Sequence, residues 1–268
     1  MRRVCLIAIF FVLHTPAPAA AWGAAGHSIV AELAERRLSR EAIAGIETLL
    51  GGEISLASIS SWADAVQMLR PETRGWHFVN IPFGEKAYSE PRDCSGGEDK
   101  LCVVSAIKRF SLALADGSKS RDEKVEALKF LVHFIADIHQ PLHCADRNDA
   151  GGSRLTVRFF GQETNLHMLW DVGLIERQTF YWGEYVDRLE KEWIPANDVA
   201  ELSAGTPEEW ASRSHELAIS VAYKNTAPDV NLTEAYFESA RPVVDRQLAT
   251  AGVRLARVLN EIWAQGVR

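Results

Sequence analysis

Two histidine–aspartate pairs occur at helical spacing in the sequence: His133 with Asp137, and His167 with Asp171. Residues four positions apart lie on one face of a helix, one turn from each other. One such pair is equally compatible with a structural salt bridge, but imidazole and carboxylate are also the usual ligands of zinc. Because there are two pairs, and His143 follows the first, the pattern favours a metal site with more than one ion.

The first pair lies in a helix that is predicted to begin at a capping box, Ser120 with Glu123, and to end at Pro141. Apolar residues flank both sides of its His–Asp face, so we expect this helix to be buried all round. A buried carboxylate such as Asp137 is costly unless it is compensated, and a metal ion would compensate it. His139 points about 200° away from Asp137, so a core or supporting role is favoured over metal ligation.

Four further residues are candidate ligands, each with a structural alternative. Asp64 could be a helix cap, and His77 could belong to an aromatic cluster. His27 lies close to Trp22 in the segment WGAAGH, where the alternative is an ordinary N-terminus with a surface histidine. If Trp22 is the first residue of the mature chain, its α-amino group titrates near pH 8. The amine could then lose its proton and form a five-membered metal chelate with its own carbonyl oxygen.

Residues 1–21 are predicted to be a secretory signal peptide that is removed. Arg2 and Arg3 precede an apolar run at 4–13, and the small residues 19–21 provide a cleavage site before Trp22. The apolar run is too short to span a bilayer, which disfavours a retained membrane anchor. We therefore expect a secreted or periplasmic protein made of residues 22–268, without stable membrane association.

The charge balance excludes one class of function. The sequence has 29 Lys and Arg against 36 Asp and Glu, a net charge of −7. Removing Arg2 and Arg3 with the signal makes it −9. Such an acidic protein is not a non-specific coat for nucleic acid, which needs clustered cations to neutralise phosphates. If the substrate is a polyanion, bound metal ions could supply the positive charge locally.

Three cysteines follow the predicted signal. Cys94 and Cys102 flank a short polar loop, and we expect them to form a disulfide in an oxidising compartment. Cys144 is then unpaired. A buried free thiol is the favoured interpretation, with zinc ligation as the alternative.

The apolar periodicity along the rest of the chain is mainly that of helices. Helices are predicted from Ser39 to Gly51, from Val103 to Asp116, and from Thr206 to about Lys224. Strand signal is limited to residues 155–160, which suggests a short hairpin. No repeat or linker interrupts the chain. The sequence therefore predicts one all-α, mostly helical domain over residues 22–268, with at most a short β-hairpin.

Five motifs occur in a fixed order: WGAAGH, SWAD, WHFVNIP, HFIADIHQPLH and NLHMLWD. In that order they resemble the zinc-dependent, single-strand-specific nucleases with 3′-nucleotidase activity, whose fold is shared by zinc-dependent bacterial phospholipase C. The motifs cover most of residues 22–171. The resemblance implies an endonuclease that hydrolyses single-stranded DNA and RNA to 5′-phosphorylated products, with no obligate protein partner.

The family pattern also implies three zinc ions. The first would be held by Asp64, His77, His133 and Asp137, the second by the amino nitrogen and carbonyl oxygen of Trp22 with His27 and the shared Asp137, and the third by His143, His167 and Asp171. Zinc lowers the pKa of water, which could then attack phosphorus. Asp64 would orient that water or accept its proton.

The resemblance implies two substrate-binding residues and contains one departure. Phe78 resembles an aromatic residue that stacks on a base, and Asn80 stands where several members have an acid that binds the base edge. Gln67 stands where many members have a basic residue that helps to neutralise the transition state. Arg70 and Arg74 are the candidates to replace that charge.

Two other functions remain as alternatives. A zinc-dependent phospholipase C would use the same fold, although the residues of the first three motifs resemble those of the nucleases more closely. A zinc-binding protein with little turnover would bind the same ions, and Gln67 keeps that alternative open.

Overall fold

The computed structural model describes residues 22–94 and 101–264, so the predicted signal peptide lies outside the described residues. The α-helices are Ala24–Glu35 (α1), Arg40–Leu50 (α2), Leu56–Ile59 (α3), Trp62–Val66 (α4), Glu90–Asp93 (α5), Val103–Ala115 (α6), Arg121–Asp137 (α7), Leu166–Met168 (α8), Leu174–Glu176 (α9), Trp182–Arg188 (α10), Val199–Ser203 (α11), Pro207–Leu217 (α12) and Glu234–Ala264 (α13). Tighter 3₁₀-helices span Pro71–His77, Pro141–Cys144 and Ile194–Ala196. Wider π-helical turns continue three α-helices at Leu169–Gly173, Leu189–Trp193 and Ala218–Ala222.

A small sheet accompanies the helices. Strand β1 (Thr156–Phe159) pairs antiparallel with β2 (Gln162–Asn165) across a tight turn, and β3 (Asn231–Leu232) pairs parallel with β1. The predicted hairpin is therefore present, with a third strand that the sequence did not predict. Two residues are too few to show an alternating pattern. The prediction of a single, mostly helical domain is confirmed.

Helix α7 forms the centre of the core. Its capping box is present: the Ser120 hydroxyl accepts from the backbone of Glu123, whose carboxylate accepts from the backbone of Ser120. The second half of the helix is almost completely buried, as expected, but residues 121–126 are exposed or half-buried, so the helix is not buried along its whole length. It also ends at Asp137, four residues before the predicted end at Pro141. Helix α6 packs along it, and Phe130 stacks between Phe110 and Phe134. This aromatic packing holds the histidine face of α7 in a fixed position.

The first and last helices pack against each other beside α7. Their close approach requires Gly252, because a Cβ there would lie 2.6 Å from Cβ of Leu33. The crossing brings the start of α1, and with it Trp22, to the end of α7. Among the described residues, no helix combines the length and the apolar character that crossing a membrane would require.

Candidate metal centre

Four predicted ligands meet at the C-terminal end of α7. His77 Nδ1 lies 3.1 Å from His133 Nε2, 3.0 Å from Asp137 Oδ2 and 3.8 Å from Asp64 Oδ1. His133 Nε2 lies 3.2 Å from Asp137 Oδ2 and 3.5 Å from Asp64 Oδ1. Four donor atoms around one tetrahedral zinc ion would lie about 3.3–3.6 Å apart. The spacing of this group is therefore close to that of a zinc ligand set.

His27 completes this side of the centre. Its ring stacks on that of His133 with centroids 3.8 Å apart, and its Nε2 lies 3.5 Å from Asp137 Oδ1. Asp137 therefore presents one oxygen to His27 and the other to His133 and His77. A carboxylate placed in this way can bridge two ions, the role that the family resemblance implies for Asp137.

Trp22 is held beside this group by hydrogen bonds. Its buried indole donates to the carbonyl oxygen of Ala136, at 3.0 Å, and the next residue, Gly23, donates its backbone N–H to the carbonyl oxygen of Asp171, at 2.8 Å. The WGAAGH segment can turn here because Gly26 has no side chain. A Cβ at Gly26 would lie 2.8 Å from Cβ of Trp22.

The remaining three predicted ligands form a second group. His167 Nε2 lies 3.3 Å from Asp171 Oδ2, and His143 Nε2 lies 3.9 Å from Asp171 Oδ1. Asp171 lies in the π-helical turn that follows α8, a distortion that is common at functional sites. Gln140 fixes the carboxylate by donating from Nε2 to Asp171 Oδ1, at 2.6 Å. The sequence did not identify Gln140 as part of the site.

Three histidines of the centre are oriented in the same way. The Nδ1 atoms of His133, His143 and His167 contact the backbone carbonyl oxygens of Ser60, His77 and Gly151 at 2.7, 2.8 and 2.8 Å. These contacts place a proton on Nδ1, so that Nε2 carries the lone pair whenever the ring is neutral. A hydrogen bond of this kind is the usual support for a metal-binding histidine. Each of the three Nε2 atoms faces its ligand group.

Burial determines how the histidines of the centre carry protons. It lowers the pKa of His27 and of His167 to about 3, with like-charge repulsion from His133 and His143 respectively adding to the effect. Burial also lowers the pKa of His143. These three rings are therefore neutral near pH 7, which is the form that binds metal.

The three acids of the centre behave differently from one another. Burial alone would raise the pKa of Asp137 and of Asp64, but the neighbouring His133 outweighs it and holds both pKa values low. For His133 the opposite balance applies, and Asp137 and Asp64 raise its pKa well above the usual value despite burial. Burial raises the pKa of Asp171 well above its usual range. The second group thus lacks the positive charge that would let Asp171 ionise.

Buried polar atoms without partners concentrate at the centre. Within residues 22–94 and 101–264, twelve buried side-chain nitrogen and oxygen atoms have no hydrogen-bond partner. Seven belong to the predicted ligands: Nδ1 and Nε2 of His27, Nε2 of His77, His143 and His167, Oδ1 of Asp137 and Oδ2 of Asp171. Unpaired buried polar atoms are costly, so such a concentration indicates a bound group. Imidazole and carboxylate donors fit zinc.

A cavity of about 280 Å³ opens onto the second group. It is lined by Gln67, Arg74, His77, Phe78, Asn80, Leu142, His143, Ala150, Gly151, Ser153 and His167. Both predicted substrate-binding residues, Phe78 and Asn80, are therefore beside the candidate ligands. The sequence did not identify the wall formed by residues 150–153. Gly151 has a left-handed backbone (φ 59°), and a Cβ there would lie 2.6 Å from the carbonyl oxygen of Leu142.

The structure separates the two candidates for the charge that Gln67 lacks. Gln67 is buried, and its amide donates to Asp64 Oδ1 at 3.3 Å. Arg70 pairs with Glu126 at 2.9 Å and with Glu72 at 3.2 Å. Arg74 lines the cavity, and its exposed side chain has no hydrogen bond or ion pair with any residue of the described ranges. Arg74 is therefore the cation that can reach a ligand in the cavity.

Two residues near the centre have structural roles. His139 uses both ring nitrogens in the core, contacting the carbonyl oxygen of Ile135 at 2.6 Å and Arg254 Nη1 at 2.8 Å. Cys144 is a buried free thiol whose Sγ donates to the carbonyl oxygen of Ile138, and burial raises its pKa. Both outcomes agree with the favoured interpretations. The predicted Cys94–Cys102 disulfide is present.

Comparison with known proteins agrees with this geometry. The family model described as S1/P1 Nuclease matches residues 22–264. The chain belongs to the S1/P1 nuclease family. The predicted resemblance and the predicted enzyme class, a zinc-dependent nuclease, are thereby confirmed.

Individual members of the family align over nearly the whole chain. Endonuclease 4 of Arabidopsis thaliana is 35% identical, over 91% of this chain and 89% of its own length. Nuclease P1 of Penicillium citrinum is 30% identical, over 90% and 97%, and Nuclease S1 of Aspergillus oryzae is 29% identical, over 91% and 92%. The similarity therefore extends well beyond the motifs that surround the candidate ligands.

Proposed function

We propose that residues 22–268 form a secreted or periplasmic phosphodiesterase with three zinc ions, which hydrolyses single-stranded DNA and RNA to 5′-phosphorylated products and also removes phosphate from 3′-nucleotides. The observation that carries this proposal is the convergence of the two ligand groups beside one cavity at the end of α7. The family membership supports nucleic acid as the substrate.

The proposed ligand sets follow the two groups. Asp64, His77, His133 and Asp137 would hold one ion, and His143, His167 and Asp171 would hold another. The third ion would be held by His27, Asp137, and the amino nitrogen and carbonyl oxygen of Trp22. His27 also lies near Asp64 and His133, two of the proposed ligands of the first ion. The proposed sites of the first and third ions therefore adjoin each other. The hydrogen bonds of Trp22 and Gly23 support the third set because they hold residue 22 at the centre.

When bound, the zinc ions supply a water of lowered pKa and positive charge for the phosphoryl group. Asp64 is the residue that orients this water or accepts its proton, since its carboxylate is ionised and partly exposed. The amide of Gln67 holds that carboxylate in place. Arg74 binds a non-bridging phosphate oxygen from the cavity side, in the role of the cation that is missing at position 67.

Base recognition is assigned to Phe78 and Asn80. Phe78 is 38% exposed and lines the cavity, so its side chain is accessible to a base. Stacking on a side chain requires a base that is free of its neighbours, which favours single strands, and it is tolerant of sequence because every base has a π-face. Asn80 offers a donor and an acceptor to the base edge.

The proposal is tested by assaying zinc-loaded protein on single-stranded DNA, RNA, 3′-AMP and phosphatidylcholine. We expect cleavage of the three nucleic acid substrates, with 5′-phosphate and 3′-hydroxyl ends on the products. Release of phosphocholine without nucleic acid cleavage would identify a phospholipase C instead. Tight zinc binding with no turnover on any substrate would identify a zinc-binding protein.

The amino-terminal ligand has its own test. Elemental analysis should give three zinc ions per chain for protein that begins at Trp22, and about two for a variant that retains Ala21. The extra residue converts the proposed amine ligand into a peptide nitrogen, which binds zinc poorly. Equal zinc contents in the two proteins would remove Trp22 from the ligand set.

A further inference from the structure

A second polar pocket lies between α11, α12 and α13 and shares no lining residue with the cavity of the metal centre. Its volume is about 340 Å³. Three arginines line it, Arg213, Arg246 and Arg254, together with Gln247 and Thr250. The pocket is thus strongly cationic on a protein whose overall charge is negative.

Positive charge in this pocket is poorly compensated. Arg254 is half-buried and donates to the carbonyl oxygen of Leu202 at 3.0 Å and to His139 Nε2 at 2.8 Å. Its guanidinium also lies over the Trp210 ring, but it has no ion pair within the described ranges. Burial lowers its pKa to about 10, and the like charges of Arg257 and Arg246 contribute. Arg246 also has no ion pair among the described residues. Arg246 is exposed and Arg254 is half-buried, so both can pair with an anion in the pocket, which would relieve the repulsion between their like charges.

Nearby acids do not neutralise the pocket. Glu201 lines it but is exposed to solvent at the rim. Glu209 is used in the capping box of α12, where its carboxylate accepts from the backbone of Thr206 at 2.8 Å. Arg213 alone has a carboxylate partner, Glu216, one turn along the same helix.

Thr250 is the second, independent indication of a ligand. Its side chain is 5% exposed, and its Oγ1 is buried without a hydrogen-bond partner. Arg246, Thr250 and Arg254 are each four residues apart in α13, so they lie on one face of the helix. Two guanidinium groups therefore flank one unpaired hydroxyl, a donor set that suits a tetrahedral oxyanion.

We propose that this pocket binds a phosphate group, carried either by free inorganic phosphate or by a nucleotide. Arg246 and Arg254 supply charge-assisted hydrogen bonds, and Thr250 Oγ1 donates a further one. The site is separate from the metal centre, and the proposal does not depend on the proposed nuclease activity.

The test is equilibrium dialysis of the zinc-loaded protein against radiolabelled inorganic phosphate at constant ionic strength in chloride. Phosphate bound at the metal centre contributes equally to every variant. We expect the double variant Arg246→Gln/Thr250→Val to bind one equivalent of phosphate fewer per chain than the unchanged protein. Arg246→Gln alone should raise the dissociation constant of the second bound phosphate about tenfold, which is the effect of losing one charge-assisted hydrogen bond.

Two controls make the result decisive. Arg40→Gln removes an exposed arginine of α2 without a side-chain partner among the described residues, and it should bind as many equivalents as the unchanged protein. The single variant covers the case in which the buried Thr250→Val change disturbs folding. Equal phosphate binding by Arg246→Gln and the unchanged protein would overturn the proposal. If 5′-AMP displaces the equivalent of phosphate that the double variant lacks, nucleotide phosphate is an accepted ligand, and if that equivalent remains bound the site is restricted to the free ion.

Discussion

Removing zinc should destabilise this protein by an amount comparable to its whole folding free energy. Seven buried side-chain atoms of the candidate ligands have no hydrogen-bond partner within the described ranges. Zinc can pair with five of them, because His27 can give only one of its two nitrogens and His77 faces its group through Nδ1 rather than Nε2. Each such atom costs about 1–3 kcal/mol, so the metal-free centre should cost about 5–15 kcal/mol. The free energy of unfolding of a domain is about 5–15 kcal/mol. At about 2–4 °C per kcal/mol for a domain of this size, the midpoint of thermal unfolding should fall by at least about 10 °C.

The assay is calorimetric unfolding of the native protein and of protein freed from metal with a chelator. Zinc content is measured on both samples, and added zinc should restore the original midpoint. Chelator already saturated with zinc is the control for direct effects of the reagent. An unchanged midpoint in protein shown to be free of zinc would refute the reasoning, because the unpaired atoms would then have another partner.

Asp171→Asn provides a matched variant for the same experiment. In the metal-free protein burial holds the Asp171 carboxyl neutral by raising its pKa, and asparagine has nearly the same shape and can still accept from Gln140. The metal-free variant and the metal-free unchanged protein should therefore unfold at the same temperature. With zinc present the variant should unfold at a lower temperature, because a carboxylate ligand is missing. A difference that appears only without zinc would contradict this account.

Three further predictions concern the cavity and the disulfide. Arg74→Gln should lower kcat/KM on single-stranded DNA about 10- to 150-fold, the value of one lost charge-assisted contact of about 1.5–3 kcal/mol. The control Arg70→Gln should leave kcat/KM within about twofold, because Arg70 is paired with Glu126. Phe78→Ala should raise KM at least about fivefold, the lower limit for losing one base stack worth about 1–3 kcal/mol, with unchanged zinc content. Replacing Cys94 and Cys102 with serine should lower the free energy of unfolding by about 2.5 kcal/mol, the value for a disulfide that closes a short loop. The unfolding midpoint of the zinc-loaded protein should fall, and its zinc content should not.

Local signals were sufficient to predict several of the longer helices. Ser120 with Glu123 begins α7, and Ser39 with Gly51 bounds α2, because caps depend on neighbours in the chain. The histidine–aspartate pairs were also visible, since four-residue spacing fixes a shared helix face. The supports of the ligands were not visible. Gln140 contacts Asp171 across 31 positions, and no local pattern of the sequence indicates such a pair.

The same limit explains why Arg70 and Arg74 could not be distinguished from the sequence. Both follow Gln67 within a few residues, and both are long, flexible cations. Which arginine is available depends on Glu126, which lies on α7, 56 positions from Arg70, and forms an ion pair with it. The 3₁₀-helix Pro71–His77 begins directly after Arg70 and places Arg74 and His77 on the cavity. Tertiary pairing, rather than distance along the chain, therefore decides which arginine can serve the site.

The position of Trp22 bears on how export and metal binding could be connected. The indole donates to the carbonyl oxygen of Ala136, and Gly23 donates to that of Asp171. Both bonds are made by protein groups alone, so they fix residue 22 at the centre whether or not zinc is bound. Under the proposed cleavage after Ala21, the new amine would belong to a residue that these bonds to Ala136 and Asp171 already hold, with little further ordering required. Preorganised ligands lose less entropy on binding, which would favour zinc binding by the new amine. Removal of the signal peptide during export would then also complete the metal centre.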